Sequence, residues 1–197
     1  TNESKLKQLL VTKGIIMRWF KVILGTVVML VTILAWAAFE ITPTVQKELD
    51  QAIEAVKGWA AEPAIVGAVA AQNQKGPIPD LDNTKWKTVR RSDDLIKGFQ
   101  SNDAAKLLKQ KLDESQGLYS EAFLSASRGE KVAFVEKTSS YIHKGQPKFD
   151  VPFVDGKPWQ GQPEFDESSQ SHQVQVAVPV LADGKPIGVL VVGVNLT

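Results

Sequence analysis

Between Lys21 and Glu40 the chain carries no charge for 18 residues, VILGTVVMLVTILAWAAF. That is the lower end of the length with which a helix crosses a bilayer's hydrocarbon. A helix there satisfies its own backbone hydrogen bonds, so one segment can span alone. Lys5, Lys7, Lys13, Arg18 and Lys21 precede it against the single acid Glu3, and Glu40, Glu48 and Asp50 follow. Basic flanks stay on the cytoplasmic side, which predicts a cytoplasmic tail over 1–21, a transmembrane helix over 22–42 and an extracytoplasmic domain over 43–197. Lys21, Trp19, Trp36 and Phe39 are the expected anchors, since aromatic rings and basic termini prefer the headgroup level. The lipid bilayer is therefore the first expected partner, and a single-pass placement in a bacterial inner membrane the expected location.

Two other readings of the stretch are weaker. Met17-Arg18 and Ala35-Trp36-Ala37 resemble the start and cleavage site of a secretory signal, yet the chain retains the segment. A buried core helix would show a polar stripe, and this stretch is apolar all round.

Beyond the span some 155 residues remain, enough for one compact domain with a core of its own. The tail contributes +4 to a chain of formal net charge +1, so the remainder is about −3 with both signs interspersed. Such a balance gives no basic footprint for nucleic acid. Cysteine is absent, which removes thiol nucleophiles, Cys-based metal sites and disulfides.

Apolar residues at Val45, Leu49, Ala52, Ile53, Val56, Trp59 and Ala60 predict an amphipathic helix over 44–61, opened by Pro43 and closed by Pro63. A small-residue helical piece over 64–72 follows. The segment 74–87 is rich in turn residues and reads as a loop. Ser92 and Asn102 are candidate helix caps, and Gly117 a stop. From Leu118 the period changes: 118–126 and 131–136 predict strands joined by Ser127-Arg128-Gly129-Glu130. A polar and aromatic stretch occupies 138–170. Then 173–181 and 187–196 predict a hairpin around Asp183-Gly184, with the final strand apolar on both faces as a central strand is. The fold class expected is α+β: one transmembrane helix, a long stalk helix and an extracytoplasmic domain around an antiparallel sheet of four or five strands.

The phrases VAFVEKTSSY (132–141), PEFDESSQ (163–170) and VAVPVLADGKPIGVLVVGVNL (176–196) carry a likeness. Together with the order of elements they resemble the periplasmic Cache (PAS-like, PDC) sensor domains of bacterial chemoreceptors and sensor kinases. The resemblance implies a long helix rising from the membrane and a curved sheet that cups an amino acid, carboxylate or amine. Tyr141 matches the family's ligand-side aromatic, and Phe149 stands where a tryptophan is usual. The acids of that family loop are absent, as is the acid before the glycine at Ser125-Ala126-Ser127-Arg128-Gly129.

Tyr141, Phe149, Phe153, Trp159, Phe165 and Asp166 are the candidate ligand-binding set, able to line one face of the sheet. The same rings also suit pinning a long loop onto the sheet. His143 and His172 are too few and too far apart for a zinc site and read as surface or loop residues. Asp80-Leu81-Asp82-Asn83 alternates oxygens like a calcium loop but lacks its length and terminal Glu, so it reads as turn chemistry. Glu164, Asp166 and Glu167 have no nucleophile, phosphate loop or metal motif beside them, so no enzymatic role, metal or cofactor is expected.

Two functions suit these residues. One is a non-catalytic accessory or scaffold subunit of a larger membrane complex, with other membrane-protein subunits as partners. It is favoured by the replaced pocket acids and by the lack of an output region after the last strand. The alternative is a periplasmic small-molecule sensor domain that hands its signal to a separate partner protein.

Overall fold

The computed structural model describes residues 41–166 and 171–196. The expected cytoplasmic tail and transmembrane helix, with Trp19, Lys21, Trp36 and Phe39, lie outside the described residues. Among the described residues no helix is long and apolar enough to cross a membrane.

Thr42 opens the first helix, α1 (Pro43–Ala60), its hydroxyl accepting from Val45 N at 3.3 Å with Pro43 in the first turn. Pro43 has no amide hydrogen to leave unpaired there. The buried residues Val45, Leu49, Ala52, Val56 and Ala60 recur every three or four positions along one side. Helix α2 (Pro63–Lys75) follows at once, ended by Gly76 at φ 75°. Both helices start and stop within a few residues of the bounds expected from periodicity.

The segment expected to be a loop over 74–87 contains a short helix, α3 (Asn83–Thr88). Asp82 caps it, accepting from the amides of Thr84 and Lys85 at 2.8 and 2.7 Å. Those bonds hold the Asp82 carboxyl below its usual range. The calcium-like run is thus turn and cap chemistry. The N-cap position of helix α4 (Asp94–Ser101) is Asp93, not Ser92, and its carboxylate accepts from Arg90 N at 2.9 Å rather than from the helix. Helix α5 (Asp103–Glu114) is capped by Asn102, as expected, through a bond from Ala105 N at 2.9 Å.

Among the described residues six strands form one antiparallel sheet: β1 (Tyr119–Ala126), β2 (Lys131–Phe134), β3 (Trp159–Gln160), β4 (Glu164–Asp166), β5 (Ser171–Ala182) and β6 (Lys185–Leu196). Their order is β2-β1-β6-β5, with β3 and β4 both pairing to the outer edge of β5. This exceeds the four or five strands expected. The apolar β6 is central, between β1 and β5. Asp183 and Gly184 turn the β5–β6 hairpin with φ of 50° and 73°, the left-handed pair that a two-residue turn matching strand twist requires. The stretch 138–170 is less irregular than its composition suggests, holding α6 (Pro147–Asp155), β3 and β4.

Register sorts the two faces. Phe134, Phe123, Val191, Ala177 and Trp159 stand in one row across five strands. Ala133, Leu124, Leu190 and Val178 stand in the next, pointing the other way because side chains alternate. Helices α1, α2 and α5 pack with the Leu124 face. The Phe123 face is roofed by α6, by α3 and α4 through Trp86 and Ile96, and by the segment 138–146.

Candidate functional site

The roof over the Phe123 face is hydrogen-bonded into place. Segment 141–143 runs beside β2 as an added edge: Lys131 N donates to Tyr141 O at 3.1 Å and His143 N to Gly129 O at 2.8 Å. Asn83 clamps it from α3, accepting from the amides of Tyr141 and Ile142, both at 2.8 Å, and donating to Ile142 O at 2.9 Å. Trp86 Nε1 donates to Thr138 O at 2.8 Å, and the Tyr141 hydroxyl accepts from Ile78 N at 2.9 Å.

Beneath this roof lies a cluster of titratable side chains. Lys131 is fully buried, and its Nζ stands 3.1 Å from the centroid of the Phe123 ring with no hydrogen-bond acceptor. His143 packs on the same ring at 4.8 Å, and its Nδ1 likewise has no hydrogen-bond partner. Ser125, which faces Lys131 across the β1–β2 register, has a buried hydroxyl without a partner. Lys148 Nζ, from the first turn of α6, lies 5.8 Å from the Phe123 centroid. It donates to Gln175 Oε1 at 2.8 Å, and Gln175 Nε2 donates to Glu121 Oε1 at 2.6 Å. Lys148, Gln175 and Glu121 are half-buried, forming a polar rim above the buried Lys131 and His143.

Taking an ammonium out of water costs several kcal/mol, whereas a desolvated cation–π contact returns about 2 kcal/mol. Desolvation therefore wins and pushes Lys131 well below the usual lysine range; Glu121 draws it back up and Lys148 pushes it further down. Burial, then the charges of Lys131 and Lys148, push His143 down to about 2, so its imidazole is neutral at ordinary pH. Three basic groups converge on one ring, and the acid that acts on Lys131, Glu121, is already bonded to Gln175.

His143 lies in a loop, as expected, but not at the surface: it is 3% exposed, because the bond to Gly129 draws its segment against β2. Of the expected ligand-binding set, Tyr141 and Phe149 are buried in the Phe123-face core, and Phe153 and Trp159 pack against it half-buried. Phe149 and Phe153 stack at 5.2 Å. Phe165 is 52% exposed on β4, and Asp166 stands there opposite Ser171. Sequence reasoning missed Lys131, Lys148, Glu121 and Gln175. The one available signal was a lysine opening a short apolar strand.

A cleft of about 340 Å³ lies elsewhere, lined by Ala60, Ala61, Val66, Pro158, Pro179 and Leu181 with Lys57. That lysine is committed to Glu54 at 2.7 Å. Among the described residues no group of His, Asp or Glu is placed to hold a metal.

No protein-family model and no curated protein matches the sequence. Solved structures do resemble it. The ligand-binding domain of the Pseudomonas aeruginosa amino acid chemoreceptor PctC, in complex with GABA, is 12% identical over 78% of this chain and 56% of that one, with a TM-score of 0.49. The sensor domain of the V. cholerae histidine kinase DctB is 17% identical over 78% and 58%, at 0.37. The ligand-binding domain of the Pseudomonas fluorescens chemoreceptor CtaA, in complex with L-valine, is 16% identical over 78% and 54%, at 0.43. The chain spans a little over half the length of these domains. The neighbours are thus ligand-binding and sensor domains, and the expectation of an accessory or scaffold subunit is corrected on that finding.

Proposed function

We propose that this chain is a non-catalytic, periplasmic small-molecule sensor domain, held to the membrane by its uncharged N-terminal stretch, with a binding site on the Phe123 face of the sheet. The observation that carries this is the convergence of buried polar atoms without partners, Lys131 Nζ, His143 Nδ1 and Ser125 Oγ, under a roof whose outer rim is polar. Buried polar groups are ordinarily hydrogen-bonded, so each of these atoms calls for a partner that the fold itself does not supply. Tyr141, Phe149, Phe153 and Trp159 supply the apolar wall. An amino acid, an amine or a carboxylate is the ligand class.

Transmission runs through β5. This strand offers Gln175 to the rim and Ala177 to the Phe123 row, while Val174, Val176 and Val178 are buried on the face where α1 packs. A ligand that moves Gln175 thus bears on the helix that follows the uncharged stretch.

The test is a thermal-shift panel on the full chain in detergent micelles, using amino acids, amines and small carboxylates. A ligand at 100 times its Kd stabilises by about 2.7 kcal/mol, a rise of several degrees in a domain of this size. A panel in which no compound raises Tm overturns the proposal.

A further inference from the structure

The bonds already made on the Phe123 face decide which charge a ligand there must carry. An ammonium group entering this site meets Lys131 and Lys148, and the neutral His143 ring gives it no charge to pair with. The carboxylate that acts on Lys131, Glu121, already accepts from Gln175 at 2.6 Å. A carboxylate, in contrast, meets a buried Nζ with no acceptor, a second ammonium 5.8 Å from the same ring, and a buried Ser125 hydroxyl able to donate. Charge-assisted hydrogen bonds in a dry site are the strongest that side chains make. Glu130, the other acid of this region, is buried with Oε2 accepting from Arg128 N at 3.1 Å and Oε1 without a hydrogen-bond partner; its charge acts on Tyr141 and is not among those acting on Lys131 or His143.

We propose that the site around Phe123 takes a small carboxylate, seated on Lys131 and Ser125, and requires no ammonium group on its ligand. This inference rests on the proposed sensor function and names the ligand class of that site. Entry is through the rim: exchanging the Lys148–Gln175 and Gln175–Glu121 bonds frees the Lys148 side chain to swing and to deliver a second cation to the bound anion. The register supports this opening. Glu121 and Gln175 both pair with Gly193 of β6, so no side chain lies beneath their bond.

Isothermal titration of the full chain in micelles with acetate, propionate, lactate and succinate tests this, run beside alanine, GABA, propylamine and inorganic phosphate. The expected result is binding of one or more unaminated carboxylates, weaker or absent binding of their amino counterparts, and none of the amine. Lys131→Met keeps the apolar stem, and it weakens that binding by about tenfold or more, the scale of one charge-assisted bond. Lys148→Met does so more mildly, and Glu121→Gln tightens it by removing a competing negative charge. Because Lys131→Met removes a buried amine that has no hydrogen-bond acceptor, its Tm without ligand rises or holds, whereas a purely structural lysine gives a fall. Binding confined to amino acids or amines, and lost in Glu121→Gln, overturns the carboxylate inference and leaves the sensor function standing. Binding of phosphate alone also overturns it. No binding by any compound overturns both.

Discussion

Gln175 donates to Glu121 at 2.6 Å across β6, over Gly193, the residue that pairs with both. The absence of a side chain there is what lets two strands separated by a third share a polar bond.

A methyl group at Gly193 would lie 2.5 Å from Ser120 Oγ, 2.8 Å from Glu121 Cγ and 2.9 Å from Gln173 Oε1. All three are side-chain atoms, so they give way, and the cost is the loss of their present bonds. Gly188 of the same strand differs, because a methyl group there would strike the backbone oxygen of Ser125 and lie 2.7 Å from Val69 Cγ1. Gly193→Ala is expected to cost about 1 kcal/mol and Gly188→Ala about 3 kcal/mol, the two ends of the overpacking range. Urea denaturation of both variants measures this. Equal midpoints would show that the backbone at Gly188 moves as easily as side chains at Gly193.

Asn83 makes three bonds to the backbone of Tyr141 and Ile142. Removing one partner leaves buried groups unsatisfied at about 1–3 kcal/mol each. Asn83→Ala is expected to lower stability by about 3 kcal/mol and to speed hydrogen exchange of the Tyr141 and Ile142 amides. Asn83→Asp keeps the acceptor for both amides and loses only the donor to Ile142 O, so its exchange rates there stay closer to the parent's. Exchange unchanged in Asn83→Ala would mean that another group holds the roof.

What was legible in the chain divides along the range of the interaction. The β1–β2 and β5–β6 hairpins follow from alternation and from Asp183-Gly184, and α1 from its three-four spacing, because each depends on residues close in sequence. The charge cluster does not. Lys131 and Phe134 are three residues apart, and simple alternation sends them to opposite faces. The irregularity between Leu124 and Ser125 shifts the register so that Lys131 faces Ser125 and reaches Phe123. His143 is buried only because Asn83 and Gly129, 60 and 14 residues before it, fix its segment. Asn83 itself has the composition of a turn residue, and nothing local distinguishes it as a clamp. The missed elements β3 and β4 are two and three residues long, too short to show a period.

Asn102 acts at both ends of its side chain: Oδ1 accepts from Ala105 N at 2.9 Å as a cap, and Nδ2 donates to Val132 O at 2.9 Å on β2. Asn102→Asp retains the cap and loses the tie to β2, whereas Asn102→Ala loses both. Thermal melts are expected to rank parent, Asp and Ala in that order, with the alanine variant down by about 2 kcal/mol, from the cap and the unpaired carbonyl. The exposed Arg91–Glu136 pair, at 2.8 Å, is the control. Arg91→Ala is expected to shift stability by under about 0.5 kcal/mol, as surface ion pairs do. An arginine effect as large as that of Asn102→Ala would contradict the ranking.

Acid should unfold the domain through His143. Its ordinary value is 6.5, and in the folded state burial, Lys131 and Lys148 push it to about 2. Between those values the unfolded chain binds the proton and the folded chain does not, so stability rises with pH across that window and is lost as pH falls below 6.5. From pH 6.5 to 4.5 one such group removes roughly 2 kcal/mol, at up to about 1.4 kcal/mol per pH unit. Lys131 acts in the same sense at the alkaline end. Lowered below the lysine value of 10.5 by burial, it makes stability rise further toward that pH. His143→Phe keeps a ring against Phe123 and cannot titrate. Urea midpoints of parent and variant at pH 4.5, 5.5, 6.5 and 7.5 are expected to diverge on the acid side, the variant losing the His143 part of the slope. Parallel slopes would place the acid sensitivity on carboxylates and show that the imidazole is protonated in the fold.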